Sequence, residues 1–179
     1  SPAAIHDPAL LCAEQVGRAL ARAGVRVQGV VRRPREGEAR SPDLALLAEH
    51  RTPRALACAV ANTRSQNLWA ETILRVLGAV HKGEGSFAAG SAAALEVLGD
   101  EGLRIADGSG LSREGEASAL AMARVLASMW RGNLRDAYFG GFARPGTGTL
   151  DDRFREPRFG NRVFAKTGTR KGVSGVCGL

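Results

Sequence analysis

Hydrophobic residues recur every three to four positions in several stretches of this chain, which is the spacing of a helix that packs by one face. Each stretch opens at residues suited to a helix N-terminus, because Asp, Ser and Thr side chains cap free backbone N–H groups and proline fits the first turn. The predicted helices begin at Asp7-Pro8, Thr52-Pro53, Ser65, Ser86 and Ser118. They end at Gly24, near Ala61, before His81, at Gly99 and at Gly132.

Apolar and more polar residues alternate in two further stretches, and this alternation predicts β-strands. Residues 25–31 form the first, while residues 163–176 form a hairpin that charged residues and Gly172 interrupt. Residues 44–50 fit either a short strand or a single turn, and residues 32–43, 106–115 and 139–160 are predicted to be loops. Helices beside a few strands, with the last two strands in a hairpin, predict an α+β layer arrangement in one domain.

The composition fits one domain with a substantial core, since the chain has 179 residues and 44% of them are hydrophobic. A formal net charge of +7 raises the question of an anionic partner. A nucleic-acid platform interleaves aromatic and basic side chains, whereas the arginines here are scattered and Tyr138 is the only tyrosine. The sequence therefore predicts no nucleic-acid binding.

The cysteines, the histidines and the apolar runs give no sign of a metal site or a membrane span. The cysteines at positions 12, 58 and 177 have no ligand spacing and are expected to be small buried side chains, with one exposed thiol allowed. The histidines at positions 6, 50 and 81 form no cluster either. No apolar run reaches about 18 residues, so no transmembrane helix is predicted. Neither a metal nor a cofactor is expected.

The candidate chemistry lies in the hairpin, at Lys166-Thr167-Gly168-Thr169. Lys166 would leave the end of a strand, and Gly168 would let the backbone of a ligand approach closely because it has no side chain. A cation, two hydroxyls and exposed strand N–H groups would then face one carboxylate or oxyanion. The alternative is an ordinary edge hairpin with a solvated lysine.

Ser65-Gln66-Asn67, at the start of a strongly amphipathic helix, is the candidate partner of this segment. Ser65 alone fits a simple helix N-cap. Together with Lys166-Thr167-Gly168, however, the triplet resembles the signature set of penicillin-binding proteins and serine β-lactamases, which is Ser-x-x-Lys, then Ser-Asp-Asn or a variant, then Lys-Thr-Gly.

Further segments of the chain resemble one particular family of penicillin-binding proteins. The segments involved are Asn62–Glu71, the loop Asp107–Arg113, Gly148-Thr149-Leu150 and Ala165–Thr169. In their order and approximate spacing, they look like the D-alanyl-D-alanine carboxypeptidase/endopeptidase family of low-molecular-mass penicillin-binding proteins, the penicillin-binding protein 4 type (peptidase family S13). The resemblance implies a β-lactamase/transpeptidase-like fold with an antiparallel sheet flanked by helices. Residues 1–179 would be the later portion of that single domain.

The resemblance also implies an activity and its catalytic residues. An active-site serine attacks the penultimate D-Ala carbonyl of a peptidoglycan stem peptide ending in D-Ala-D-Ala, and β-lactams acylate the same serine. Ser65 would relay a proton towards the leaving nitrogen, and Asn67 would hydrogen-bond the acyl-side amide of the substrate. Lys166 would supply positive potential that tunes nearby proton carriers and attracts the substrate carboxylate.

The resemblance implies that the three residues after Lys166 bind the substrate. Thr167 and Thr169 would place hydroxyls on the substrate carboxylate, with Gly168 between them, and the Thr169 N–H would be one of two oxyanion donors. An extracytoplasmic location follows from the peptidoglycan substrate. Asp107, in the loop, fits either a border of the cleft or an Asx turn.

One element of the family's signature is missing. The residues three places before Lys82, Lys166 and Lys171 are not serines, so the chain contains no Ser-x-x-Lys. This chain alone is therefore expected to be inactive, with the nucleophile elsewhere in the complete protein. The alternative is a catalytically dead domain that binds a muropeptide or a cell-wall partner. Two further departures are milder, because neither changes a residue type that the chemistry requires. Gln66 replaces the frequent Asp of the middle motif, and Arg170 stands where an apolar residue often follows the Lys-Thr-Gly-Thr run.

Overall fold

A computed structural model describes residues 6–35, 37–38, 42–99, 101–160 and 162–179. The chain divides into two units, Ser1–Glu49 and His50–Leu179. The helices are α1 Pro8–Arg22, α2 Arg54–Thr63, α3 Asn67–Lys82, α4 Phe87–Leu98, α5 Ala119–Arg131 and α6 Arg135–Gly140, with a short 3-10 helix at Gly148–Leu150. The strands are β1 Leu103–Arg104, β2 Glu116–Ala117, β3 Ala165–Arg170 and β4 Val173–Gly178.

The first unit contains α1 and irregular backbone. The helix starts as predicted, because the Asp7 carboxylate accepts a hydrogen bond from the Leu10 N–H at 2.9 Å and proline follows it. The strand predicted at residues 25–31 is absent, and residues 44–50 are neither strand nor turn. No described segment of this unit pairs with residues 25–31, and Val30 is 86% exposed. A segment with alternating apolar and polar residues forms a stable strand only when its backbone can pair with another strand or its apolar face can pack on a core. The described residues of this unit provide neither for residues 25–31.

In the second unit, α3 and α4 pack against each other through glycine. A Cβ added to Gly78 would lie 2.6 Å from the Gly90 nitrogen, and one added to Gly90 would lie 2.1 Å from the Leu74 oxygen. The two backbones therefore approach as closely as they do only because both positions lack a side chain. The Ser86 hydroxyl caps α4 by accepting from the Ala89 N–H at 3.1 Å, as predicted.

The hairpin predicted at the end of the chain is confirmed. Strands β3 and β4 pair antiparallel, with Ala165 opposite Gly178 and Arg170 opposite Val173, and β1 pairs with β2 beside the 106–115 loop. Gly172 makes the tight turn with a φ of +82°. Helices beside small antiparallel sheets agree with the predicted α+β class, although β1, β2 and α6 were not predicted.

The core fixes the hairpin at its base. Ala143, Leu150 and Ala165 are at most 2% exposed and form one cluster. The Ala165 N–H also donates to the Ala143 carbonyl at 3.1 Å. Lys166, the next residue, therefore leaves the backbone at a rigid place.

Two of the three cysteines lie at the protein surface. The sequence allowed one exposed thiol, but both Cys12 and Cys58 are exposed, since each lies on a helix side that faces away from the described core, while Cys177 is half-buried. Within the described residues, no helix is long and apolar enough to span a membrane.

Candidate active site

The turn between α2 and α3 places Ser65 in an unusual backbone conformation. Its φ is +52°, in the left-handed region, and the Gln66 N–H closes the end of α2 by donating to the Ala61 carbonyl at 3.2 Å. Glycine usually occupies such a position after a helix, since a side chain there costs about 1 kcal/mol. The N-cap of α3 is Gln66, so the N-cap interpretation of Ser65 is wrong. Its hydroxyl is thus available for another partner.

Neighbouring segments hold this turn in place. The Thr63 hydroxyl donates to the Gly141 carbonyl at 3.0 Å. Gly148, with a φ of +52°, approaches the end of α2 so closely that an added Cβ would lie 2.2 Å from the Thr63 oxygen. Because Gly148 has no side chain, the Gly148-Thr149-Leu150 segment can therefore lie directly against the backbone of Thr63, two residues before Ser65.

Lys166 makes the contact that joins the two motifs. Its ammonium donates a hydrogen bond to the Ser65 hydroxyl oxygen at 2.9 Å, across 101 positions of sequence, and also donates to the Thr167 carbonyl. Burial lowers the pKa of this half-buried lysine below its ordinary value, because desolvation disfavours the charged form. Since Ser65 accepts from Lys166, its own hydroxyl proton is free to be donated to a third group.

The β3 strand offers an open edge beside this pair. The Ala165 N–H points away from β4, towards Ala143. Successive backbone N–H groups point to opposite edges of a strand. The N–H groups of Thr167 and Thr169, two and four residues after Ala165, therefore also point away from β4. Apart from its two chain neighbours, no heavy atom of the described residues lies within 4 Å of a Cβ added to Gly168, so the strand is uncrowded there. An extended ligand can therefore pair with this edge.

The structure does not bring every predicted residue into direct contact. Asn67 is exposed at the first position of α3, two residues after Ser65. Asp107 forms an Asx turn, since its two carboxylate oxygens accept from the Gly110 N–H at 2.7 Å and the Ser112 N–H at 2.6 Å. That carboxylate is committed to the shape of its own loop.

Sequence reasoning missed the residues that hold this loop, which are Glu71 on α3 and Arg170 on β3. The only signal was that Arg170 departs from the family's usual apolar residue. Among the described residues, no three His, Cys, Asp or Glu side chains come together in a way that would hold a metal ion.

The chain resembles known proteins both in sequence and in structure. A model of the D-Ala-D-Ala carboxypeptidase 3 (S13) family matches residues 2–179. The chain resembles penicillin binding protein 4 (dacB) from Haemophilus influenzae in a crystal structure with a novel β-lactam, with a TM-score of 0.80, 28% identity, and coverage of 98% of this chain and 42% of that one. A second crystal structure of that protein matches with a TM-score of 0.60 and 27% identity, over 68% of this chain and 29% of that one. No curated protein sequence matches.

Proposed function

The chain belongs to the D-Ala-D-Ala carboxypeptidase 3 (S13) family, and from this premise we propose that the complete protein is a serine-type D-Ala-D-Ala carboxypeptidase/endopeptidase. It acts on peptidoglycan stem peptides through an acyl-enzyme, binds β-lactams, and works outside the cytoplasm where peptidoglycan lies. The chain spans 42% of the length of the solved relative. The hydrogen bond from Lys166 to Ser65 carries the proposal, because it brings two groups that can each donate a proton into contact from motifs 101 positions apart in the sequence.

In the acylation step, the nucleophilic serine gives its hydroxyl proton to a base that, like the serine, lies outside this chain, and its oxygen bonds to the penultimate D-Ala carbonyl carbon. The C–N bond to the terminal D-Ala then breaks. The leaving nitrogen takes its proton from the Ser65 hydroxyl, which regains one from the Lys166 ammonium at 2.9 Å. The lowered pKa of Lys166 makes its ammonium a stronger acid than an ordinary solvated lysine, which favours proton donation. Water then hydrolyses the acyl-enzyme, with its hydroxyl going to the acyl carbon and its proton to the released serine oxygen. Lys166 and the outside base return to their starting protonation states by exchange with solvent.

Strand β3 and the start of α3 hold the substrate during this step. The Thr169 N–H, on the open edge, donates to the oxyanion, and the Thr167 and Thr169 hydroxyls bind the terminal carboxylate with help from the positive charge of Lys166. Gly168 keeps the strand clear for the substrate backbone. The exposed Asn67 amide hydrogen-bonds the acyl-side amide of the substrate.

A second candidate function is favoured by one observation, which is the absence of Ser-x-x-Lys from these 179 residues. If the complete protein also lacks that motif, the same cleft would bind a muropeptide or a cell-wall partner without turnover. In the first candidate, the nucleophile is supplied by residues outside this chain. Residues 1–179 are then the later portion of one transpeptidase-like domain.

Labelling with a fluorescent penicillin separates these candidates. The complete protein is expected to form a covalent adduct and to release D-Ala from a pentapeptide, whereas the 179-residue chain alone is expected to form no adduct, because it lacks the acylated serine. Denaturing gels report the adduct, and circular dichroism verifies that the isolated chain is folded. A labelled band at the mass of the isolated chain would refute this assignment of motifs. A complete protein that binds muropeptide without adduct or D-Ala release would support the second candidate.

A further inference from the structure

The loop of residues 107–112 is attached to helix α3 at one end. The Gly108 N–H donates to one carboxylate oxygen of Glu71 at 3.0 Å, and the Ser109 hydroxyl donates to the other. Gly108 also lies against the helix backbone, since a Cβ added to it would be 2.3 Å from the Ala70 oxygen. The loop is therefore fixed on the helix that follows Ser65.

The other end of the loop is attached to strand β3. One guanidinium nitrogen of Arg170 donates to the Ser112 carbonyl at 2.7 Å and to the Leu111 carbonyl at 3.2 Å. Arg170 is the last residue of the strand. The internal hydrogen bonds of the Asp107 carboxylate stiffen the loop between its two attachments.

Strand β3 is thus tied to the α3 region at two points. Because side chains alternate along a strand, those of Lys166 and Arg170 leave the same face, with Gly168 between them. Lys166 reaches Ser65, and Arg170 reaches the loop that Glu71 holds. The two attachments are about 13 Å apart along the strand, and the uncrowded Gly168 lies between them.

We propose that Arg170 is a positioning residue, which acts through the 107–112 loop to hold β3 at the separation from α3 that keeps Lys166 within hydrogen-bond reach of Ser65. Its effect is geometric, because a separation of about 13 Å exceeds the screening length of roughly 8–10 Å in ordinary salt. The consequence for turnover rests on the proposed function. Small displacements of a catalytic group cost much of its contribution to rate.

The test replaces Arg170 by methionine, which keeps the length of the side chain but removes the donor. In the complete protein, Arg170→Met is expected to lower the kcat of D-Ala release about 10-fold by misplacing Lys166. Lys171→Met is the matched control, since it removes the same charge from the adjacent exposed position in the hairpin turn. Wild-type turnover in folded Arg170→Met, or an equal loss in Lys171→Met, would overturn the proposal.

A titration of Lys166 decides the same question without relying on turnover. NMR of protein with 13C-labelled lysine, assigned with Lys166→Ala, is expected to show the Lys166 pKa rising towards its ordinary value in Arg170→Met, because a displaced β3 admits water. Glu71→Gln weakens the other attachment and is expected to shift the pKa in the same direction. An unchanged pKa in both variants would contradict the proposal. A wild-type protein that never releases D-Ala would refute the proposed function alone, since the titration still reports on Arg170.

Discussion

Replacing Lys166 by alanine in the complete protein is expected to lower the turnover of D-Ala release about 10²- to 10³-fold, by analogy with the loss of one preorganised oxyanion donor. The substitution removes the ammonium that donates to the Ser65 hydroxyl and, in the proposed mechanism, the positive charge that would anchor the substrate carboxylate. The fold should survive, because the backbone at this point is held by the buried Ala165 and by pairing with β4. Steady-state kinetics with a pentapeptide and thermal unfolding of the same samples check both parts.

Lys171→Ala serves as the control for Lys166→Ala. Lys171 is exposed in the turn between β3 and β4, so its replacement should leave turnover unchanged and alter the free energy of unfolding by no more than about 0.5 kcal/mol. A folded Lys166→Ala protein that behaves like this control would show that Lys166 is an ordinary solvated lysine.

Replacing Ser65 by glycine is expected to separate stability from activity. Glycine adopts the left-handed φ of +52° without penalty, so the free energy of unfolding should stay the same or rise by up to about 1 kcal/mol. Turnover should nevertheless fall about 10²-fold or more, because the hydroxyl proposed to pass the proton to the leaving nitrogen is gone. Chemical denaturation and D-Ala release measure the two effects.

Ser65→Ala provides the matched comparison. It removes the same hydroxyl but keeps a side chain in the left-handed conformation, so it should lose as much turnover as Ser65→Gly without the gain in stability. If both variants keep wild-type turnover, Ser65 has no part in proton transfer. The pair therefore distinguishes a hydroxyl kept for chemistry from a turn residue.

Local chemistry explains why much of the fold was predictable. The helix starts at Ser86 and Ser118 depend on their own side chains, which accept from N–H groups three residues ahead. The final hairpin depends on alternation and on Gly172. The strand predicted at residues 25–31 failed for the opposite reason, since its existence needed a distant partner that the local pattern does not reveal.

In the candidate site too, some features were predictable from local sequence and others were not. Ser65 and Lys166 were identified because their motifs are short and contiguous, and the hydrogen bond between them joins the two. The left-handed backbone of Ser65 and the attachment made by Arg170 were not predicted. Both depend on how separate segments approach one another, which residue spacing does not encode. The catalytic roles of Ser65, Asn67 and Lys166, and the substrate-binding roles of Thr167, Gly168 and Thr169, remain predictions.

The most direct measurement of the central claim, that Ser65 and Lys166 act as one proton-handling pair, is a double-mutant cycle on D-Ala release. It compares kcat for wild type, Ser65→Gly, Lys166→Ala and the double variant in the complete protein. Residues that act as a unit give strongly non-additive losses, so the double variant is expected to be within about 3-fold of the slower single variant. Losses that multiply would contradict the account, because they would show that the two side chains contribute independently.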